Sequence, residues 1–336
     1  MQIRNPYLLF IGDASDQLAA KTADGVAQWR RDWCVGQLRL PGCKADLGLP
    51  DKTLEQAAAE GVKTLIIGVA NRGGKFSPNW IETLVKALEL GMDIASGLHN
   101  KVQDIPEVAE KARQLGRQIH DVRHPTQAFE IANGVRRPGR RLLTVGTDCS
   151  VGKMFTALAL EKEMRGRGMN ADFRATGQTG ILIAGSGVSV DAVVSDFVAG
   201  AVEWLCPANT PDHWDIVEGQ ASVLHPSYGG VTLALCHGSQ PDAMVCVHEP
   251  TRPHMRGLPG RPVPGIRDTI AAHEAAARVT NPDTKGVIGL AINTHAMPEA
   301  EALAYIRRME DEHGLPACDP LRTGCANIID RLNTLF

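Results

Sequence analysis

The sequence predicts an α/β protein of two domains, each built on a mostly parallel sheet that is covered by helices. Its 336 residues are enough for about two domains of ordinary size. Short apolar runs alternate with helix-like segments, which is typical of parallel strands joined by crossover helices. A polar stretch rich in Pro, Gly and Arg interrupts this alternation at residues 133–141. We therefore predict two domains, over residues 1–137 and 138–336.

The first domain begins with an apolar run that predicts a strand close to the N-terminus. Proline near the start and glycine near the end mark the helices that follow. The predicted strands are Tyr7–Ile11, Thr64–Gly68, Asp93–Ser96 and Gln118–Asp121, and the predicted helices are Asp51–Glu60, Pro78–Leu90 and Ile105–Leu115. A glycine-rich segment follows the second strand, where both a tight turn and a ligand contact are open interpretations of Asn71, Gly73 and Gly74.

The boundary segment Asn133–Arg141 contains four arginines, two glycines and one proline. Such a composition is typical of a polar, turn-rich linker between domains. We expect the arginine side chains to be solvated.

The second domain opens on a phosphate-binding arrangement. The apolar run Leu142–Val145 predicts a buried strand, and Gly146 and Gly152 bound the loop that follows. Lys153 then begins a predicted helix. In this arrangement loop N–H groups and the helix dipole bind an anion, and the lysine adds a full positive charge. The predicted cofactor-binding residues are Gly146, Thr147, Asp148, Cys149, Ser150, Val151, Gly152, Lys153 and Met154.

The loop departs from the common phosphate-loop pattern in two ways. Five residues separate its glycines, where the common pattern has four. Met154 follows the lysine, where the common pattern has a Ser or Thr whose hydroxyl binds Mg²⁺. A thioether is a poor ligand for a hard cation, so the loop disfavours a metal-bound triphosphate.

Polar side chains follow the later predicted strands, at the edge where parallel sheets bind their ligands. The strand Asp172–Ala175 leads into a glycine-flanked polar turn, and the candidate substrate contacts there are Arg174, Thr176, Gln178 and Thr179. A helix predicted over Asp191–Leu205 carries Asp196. The remaining predicted strands are Asp215–Gln220, Ala243–His248 and Gly286–Asn293, and the remaining predicted helices are Val231–His237, Pro298–His313 and Ala326–Leu335.

Glu218 is the acid at the carboxyl end of the first of these strands, where phosphate-loop enzymes keep a carboxylate for a metal or an attacking group. A helix cap or an ion pair is the structural alternative. Further candidates in the next ten residues are Gln220, Ser222, His225 and Tyr228. A long loop rich in Pro and Gly follows His248, and we expect it to contact substrate through Glu249, Arg252 and Arg256.

Composition argues against several classes of protein. The net charge of −3 and the lack of a basic arm disfavour a nucleic-acid partner. No apolar run reaches the roughly 18 residues of a bilayer span, and the N-terminus lacks the layout of a signal peptide. The eight cysteines are scattered, without metal-ligand spacing. We expect a cytoplasmic protein with reduced thiols, no metal, no membrane partner and small-molecule substrates.

A set of motifs in fixed order resembles the D-glutamate N-acetyltransferase (DgcN-type) family: Gly146–Met154, Ala175–Gly180, Glu218–Ser222, His225–Tyr228, His237–Pro241 and His248–Arg252. The resemblance covers most of residues 138–270 and the layout of the whole chain. It implies a Rossmann-like parallel sheet followed by a phosphate-loop NTPase-like three-layer α/β/α domain, which carries most of the active site. The loop spacing and the Glu218–Gly turn also resemble dethiobiotin synthetase, which has Thr in place of Met154.

The family resemblance implies transfer of the acetyl group of acetyl-CoA to the amino group of D-glutamate or a similar D-amino acid. Because only a neutral amine attacks, the reaction needs a base, and the open candidates are Glu218, Asp196 and His225. The oxyanion could be stabilised by Gln178, Gln220 or loop N–H groups. The acceptor carboxylates suit the guanidinium groups of Arg174, Arg252 and Arg256.

Two other functions remain open. The first is a Mg-ATP-dependent ligase or kinase similar to dethiobiotin synthetase, in which Glu218 and Asp148 could partly compensate for the missing hydroxyl. The second is a nucleotide-binding regulator without turnover. For an enzyme of this kind we also expect a homo-oligomer.

Overall fold

The computed structural model describes residues 2–69 and 76–336. The chain divides into two compact units, Met1–Thr126 with Gly177–Ala192, and Gln127–Thr176 with Val193–Phe336. The segment 177–192, which we expected in the second domain, therefore lies in the first unit. Asn71, Gly73 and Gly74, for which a tight turn and a ligand contact were both open interpretations, lie outside the described residues.

The first unit is built on a five-stranded parallel sheet with the strand order β2-β1-β3-β4-β5. Its strands are β1 Tyr7–Gly12, β2 Cys34–Arg39, β3 Thr64–Ile67, β4 Asp93–Ser96 and β5 Ile119–Asp121. Every residue of β1 is buried, as expected for a central strand covered on both faces. Strand β2 was not predicted, because Gly36 and Gln37 interrupt its apolar run.

Among the residues that the structure describes, the first unit has five α-helices: α1 Lys21–Trp29, α2 Leu54–Ala59, α3 Pro78–Glu89, α4 Pro106–Leu115 and α6 Gln178–Ala184. Helix α2 begins three residues later than predicted, because Thr53 caps it in a reciprocal capping box with Gln56. The turn predicted at residues 176–180 is wrong. A helix begins there at Gln178, since its apolar residues are buried on α1, where Thr179 contacts Gly25.

The second unit is built on a six-stranded parallel sheet with the order β11-β10-β9-β6-β8-β7. Its strands are β6 Arg140–Gly146, β7 Ala171–Arg174, β8 Trp214–Val217, β9 Ala243–His248, β10 Val287–Ile292 and β11 Ala317–Cys318. Its helices are α5 Lys153–Gly166, α7 Val198–Leu205, α8 Gly229–Ser239, α9 Ile266–Arg278, α10 Glu299–His313 and α11 Ala326–Leu335. The predicted two-domain α/β class with parallel sheets is confirmed.

Two helix predictions in the second unit need correction. The helix expected over Asp191–Leu205 is replaced by short 3-10 turns at Val190–Ala192 and Ser195–Phe197, and α7 begins only at Val198. Helix α8 begins at Gly229, two residues before the predicted start, so the glycine pair opens the helix. No helix in the described part of the chain combines the length and apolar character of a bilayer span.

The expectation that the linker arginines are solvated is wrong for two of them. Arg141 is fully buried, and its guanidinium donates to the carbonyls of Arg137 and Gly139 at 2.7 and 3.0 Å. Arg137 donates to the carbonyls of Cys206 and Gly238, each at 2.7 Å. These carbonyls lie at or near the C-terminal ends of α7 and α8, where helices leave carbonyl groups unpaired and attract cations.

Candidate active site

The strand order of the second unit brings three predicted site segments to one edge of its sheet. Strand β6 lies between β8 and β9, with Leu143 paired to both Val217 and Met244. The three strands are parallel, so the loops that leave their carboxyl ends are neighbours. These loops are the phosphate loop, the turn that begins at Glu218, and the long loop after His248.

The phosphate loop folds tightly around its own lysine. Ser150 and Gly152 adopt left-handed backbone conformations, with φ of 54° and 113°, and α5 begins directly after them. The Lys153 side chain is buried, and its Nζ donates to the carbonyl oxygen of Asp148 at 2.6 Å. Burial lowers the pKa of Lys153 to about 8. The ammonium of Lys153 therefore lies within the phosphate loop and is held by a loop carbonyl.

Asp148 is the buried anchor of this loop. Its carboxylate accepts hydrogen bonds from the backbone N–H of Cys149 (2.7 Å), the guanidinium of Arg252 (2.8 Å) and the backbone N–H of Arg256 (2.7 Å). Burial alone would raise the pKa of Asp148, but these donors hold it below its ordinary value. Asp148 thus remains ionised and ties the loop after β9 to the phosphate loop.

The guanidinium of Arg252 forms hydrogen bonds and ion pairs with other groups of the protein. Besides Asp148, it donates to the carbonyl of Ser150 at 3.1 Å and also to the carbonyl of Cys149. Its second ionic partner is Glu249, which we expected to contact substrate. Arg252 and Glu249 therefore hold the phosphate loop in shape.

A second hydrogen-bonded group surrounds Glu218, a residue that is only 4% exposed. Its Oε2 accepts from the backbone N–H of Thr176 at 2.8 Å, and its carbonyl accepts from the Thr176 hydroxyl at 2.8 Å. Gln220 donates to that hydroxyl at 3.0 Å. Gly219 N–H donates to the side chain of Thr144 in β6 at 2.9 Å, which joins the turn to the strand that leads into the phosphate loop.

His225 lies between the two loops as a hydrogen-bond donor. Its Nδ1 accepts from the backbone N–H of Ser227 at 3.1 Å, so the neutral ring carries its proton on Nε2. That nitrogen lies 3.5 Å from the carbonyl of Arg256 and 3.8 Å from Asp148. The ring stacks on Tyr228, with centroids 4.7 Å apart, and Tyr228 remains half exposed. This tautomer fits positioning better than proton abstraction.

Asp148, Cys149 and His225 place possible metal-ligand atoms within 4.8 Å of one another. The Asp148 carboxylate already accepts three hydrogen bonds, and His225 directs a protonated nitrogen toward it. Burial raises the pKa of Cys149 above its ordinary value, which opposes a thiolate there. The arrangement as it stands is that of an internal hydrogen-bond network.

The other predicted contacts belong to other elements or have partners of their own. Arg174 donates to the buried carboxylate of Asp215 at 2.6 Å, and Asp196 is exposed in a 3-10 turn. Gln178 and Thr179 belong to α6 in the first unit. Ser222 is buried, and its hydroxyl accepts from the backbone N–H of Leu224 at 3.3 Å.

The structure adds two residues that the prediction missed. Asn293, directly after β10, donates from Nδ2 to the carbonyl of Val151 at 3.1 Å. The Nδ1 of His248 lies 3.1 Å from the hydroxyl of Thr147, and burial lowers the pKa of this histidine to about 4. Both lie at carboxyl ends of strands neighbouring the loop, and this position was the signal available in the sequence.

Comparison with known proteins agrees with this architecture. A family model described as a P-loop domain of unknown function (DUF1611) matches residues 130–329, and one described as its N-terminal Rossmann-like domain matches residues 38–125. A DUF1611 protein from Anabaena variabilis, solved by crystallography, superimposes with a TM-score of 0.82 at 32% identity over 98% of this chain and all of that one.

Two curated relatives match along almost their whole length. A D-glutamate N-acetyltransferase of Tritonibacter scottomollicae is 56% identical over 98% of this chain and 99% of the relative. A D-glutamate N-acetyltransferase of a Pseudoalteromonas species is 47% identical over 99% of this chain and 100% of the relative. The chain belongs to the D-glutamate N-acetyltransferase family, in which a Rossmann-like domain precedes a P-loop domain of the DUF1611 type.

Proposed function

We propose that the protein transfers the acetyl group of acetyl-CoA to the amino group of D-glutamate or a similar D-amino acid, with the CoA phosphates held by the phosphate loop. Family membership makes the chain an acyltransferase, and both curated relatives are named for D-glutamate N-acetylation. The observation that carries the proposal is a phosphate loop with a buried lysine and, at Met154, no hydroxyl for Mg²⁺.

The phosphate loop supplies what a pyrophosphate needs. Loop N–H groups and the positive end of α5 attract the anion, and Lys153 adds a charge that is already buried before binding. Its ammonium donates one hydrogen bond to Asp148 and has two further protons for phosphate oxygens. CoA phosphates bind in this way without a bridging metal.

We assign Glu218 as the general base. Among the three candidates it is the buried carboxylate next to the phosphate loop, whereas His225 presents a protonated nitrogen and Asp196 is exposed in a 3-10 turn. Glu218 takes a proton from the acceptor ammonium, and the amine attacks the thioester carbonyl. The N–C bond forms and the C–S bond breaks. The CoA thiolate takes up the second proton that the attacking nitrogen loses, and the first proton passes from Glu218 to solvent. Gln220 or loop N–H groups stabilise the oxyanion.

The proposal also includes a cytoplasmic location and a homo-oligomeric assembly. The eight cysteines are free in the structure, as in a reducing compartment. Large apolar side chains such as Trp204 and Val194 are exposed on the second unit, which fits a subunit interface. Light scattering of the purified protein measures the assembly directly.

A two-arm assay tests the reaction. The protein is incubated with D-glutamate and either acetyl-CoA or Mg-ATP, and both free thiol and phosphate are measured. We expect thiol release that depends on D-glutamate, in the acetyl-CoA arm alone. Phosphate or ADP release without thiol would instead support the ligase or kinase. The absence of both products would support the regulator.

Met154→Thr tests whether the missing hydroxyl matters. The substitution restores the residue that binds Mg²⁺ in other phosphate loops, so an acetyltransferase should keep kcat and the KM for acetyl-CoA within about twofold of the wild type. The side chain is only partly buried, so stability should change little. Mg-ATP turnover that appears in this variant at the expense of acetyl transfer contradicts the proposal.

The lowered pKa of Lys153 predicts a pH dependence of donor binding. The charged form of Lys153 binds phosphate, and the pKa of Lys153 in the unliganded protein is about 8. The Kd for acetyl-CoA, measured by calorimetry without acceptor, should be flat between about pH 7 and pH 7.5 and rise toward tenfold per pH unit above about pH 8. Lys153→Met should abolish the rise. A Kd that stays constant up to about pH 9.5 in the wild type contradicts the assignment.

A further inference from the structure

We propose that Arg256 is the residue that binds a carboxylate of the acceptor amino acid. This inference rests on the proposed function and names the substrate-recognition group within the same site. Arg256 is one of three arginines that the sequence alone could not distinguish.

The other two arginines are already paired. Arg174 donates to Asp215 at 2.6 Å, and that carboxylate is 2% exposed, so the pair is largely withdrawn from solvent. Arg252 bonds to two carboxylates and to phosphate-loop carbonyls. A ligand carboxylate could engage either guanidinium only after breaking a buried ion pair, which is costly.

The backbone of Arg256 is fixed on the phosphate loop. Its N–H donates to the buried carboxylate of Asp148 at 2.7 Å, and its carbonyl lies 3.5 Å from Nε2 of His225. The preceding residue, Met255, is fully buried and donates its N–H to the carbonyl of Arg261 at 2.9 Å. A long side chain is thus attached at a fixed point beside the catalytic loops.

Arg256 is an exposed residue, and among residues 2–69 and 76–336 its guanidinium has no ion-pair or hydrogen-bond partner. Its charge nevertheless reaches the phosphate loop. Burial raises the pKa of Cys149, and Arg256 is one of the cations that act in the opposite direction, with Lys153 and Arg252. The side chain therefore starts beside the loop, at a backbone N–H that donates to Asp148, and is available to a ligand.

The two substrates differ in which of their binding groups on the protein are already accounted for. The donor phosphates have the loop N–H groups, the helix dipole and Lys153. The acceptor brings two carboxylates, which bind best to a planar guanidinium that donates two parallel hydrogen bonds. Arg256 is the arginine of the predicted set that remains free for this pairing.

The experiment compares Arg256→Gln with Arg261→Gln by steady-state kinetics. Arg261 is an exposed arginine of the same loop whose backbone bonds remain within the loop, so its substitution removes the same charge without removing the proposed contact. For Arg256→Gln we expect a 10- to 100-fold higher KM for D-glutamate, with kcat and the KM for acetyl-CoA within about twofold of the wild type. Arg261→Gln should behave as the wild type.

Two further arms locate the carboxylate and check the geometry. D-glutamine, which lacks the side-chain carboxylate, is used as a second acceptor. If Arg256 binds the side-chain carboxylate, Arg256→Gln should change the KM for D-glutamine little. If Arg256 binds the α-carboxylate, the KM for D-glutamine should rise as much as the KM for D-glutamate. Arg256→Lys keeps the charge without the planar fork and should recover only part of the loss.

The inference is overturned if Arg256→Gln leaves the KM for D-glutamate unchanged, or if it raises only the KM for acetyl-CoA, which would place Arg256 on a CoA phosphate. Equal losses in Arg256→Gln and Arg261→Gln would also overturn it, because they indicate a general charge effect. If the wild-type protein itself releases no thiol with acetyl-CoA and D-glutamate, it is the proposed function that fails.

Discussion

Replacing Gly219 by alanine is expected to destabilise the second unit by roughly 3 kcal/mol. A Cβ at this position would lie 1.6 Å from the carbonyl oxygen of Thr144 and 3.0 Å from Cδ of Lys153. The first neighbour is backbone in the central strand β6 and cannot move aside. The turn after β8 would have to separate from β6, which breaks the hydrogen bond from Gly219 N–H to Thr144.

Thermal unfolding measures this effect, and the transition should shift down by about 10 °C for a unit of this size. Gly230→Ala is the matched control, since an added Cβ there has nothing within 4 Å and Gly230 lies inside α8. That change should be neutral or stabilising by about 0.5–1 kcal/mol. If both variants unfolded at the wild-type temperature, the close packing of the Glu218 turn against β6 would be disproved.

Removing the charge of Lys153 is expected to have the largest effect on catalysis. Lys153→Met keeps most of the buried aliphatic volume but loses the ammonium that would bind the donor phosphates. Charge-assisted hydrogen bonds contribute about 1.5–3 kcal/mol, so kcat/KM for acetyl-CoA should fall by about 10- to 100-fold. Lys153→Ala should lose at least as much and also leave a cavity in the loop.

The control is Lys162→Met, which removes the same charge from an exposed position on the same helix. It should leave the kinetics unchanged. Calorimetric binding of acetyl-CoA separates a binding defect from a chemical one. An unaltered KM and Kd for acetyl-CoA in a folded Lys153→Met protein would show that the loop does not hold the donor.

The part of the site that could be predicted from sequence is the part formed by contiguous residues. A phosphate loop is one strand, one turn and one helix start, so its geometry follows from local glycines and a lysine. The prediction of Glu218 followed from a rule about strand ends. Glu218 lies beside the phosphate loop only because β8 is next to β6 in the sheet, and this strand order is known from the structure.

The part that could not be predicted concerns which polar groups pair with each other. Arg174, Arg252 and Arg256 carry the same charge and all lie at or after the carboxyl end of a strand, yet among the described residues only the first two have buried carboxylate partners. Such partners come from positions 41 and 104 residues apart in the chain. No local pattern encodes that choice, and the same reason hides the contact of Asn293 with the phosphate loop.

Helix α6 has a consequence for the order in which this chain can fold during synthesis. Its apolar residues Ile181, Leu182 and Ile183 are buried in the first unit, although β6, α5 and β7 of the second unit are made before it. Domains emerging from a ribosome usually fold from the N-terminus onward. Here the first unit cannot be completed until residue 192 has been translated, so a nascent chain ending near residue 137 should expose an uncovered apolar surface for chaperones to bind.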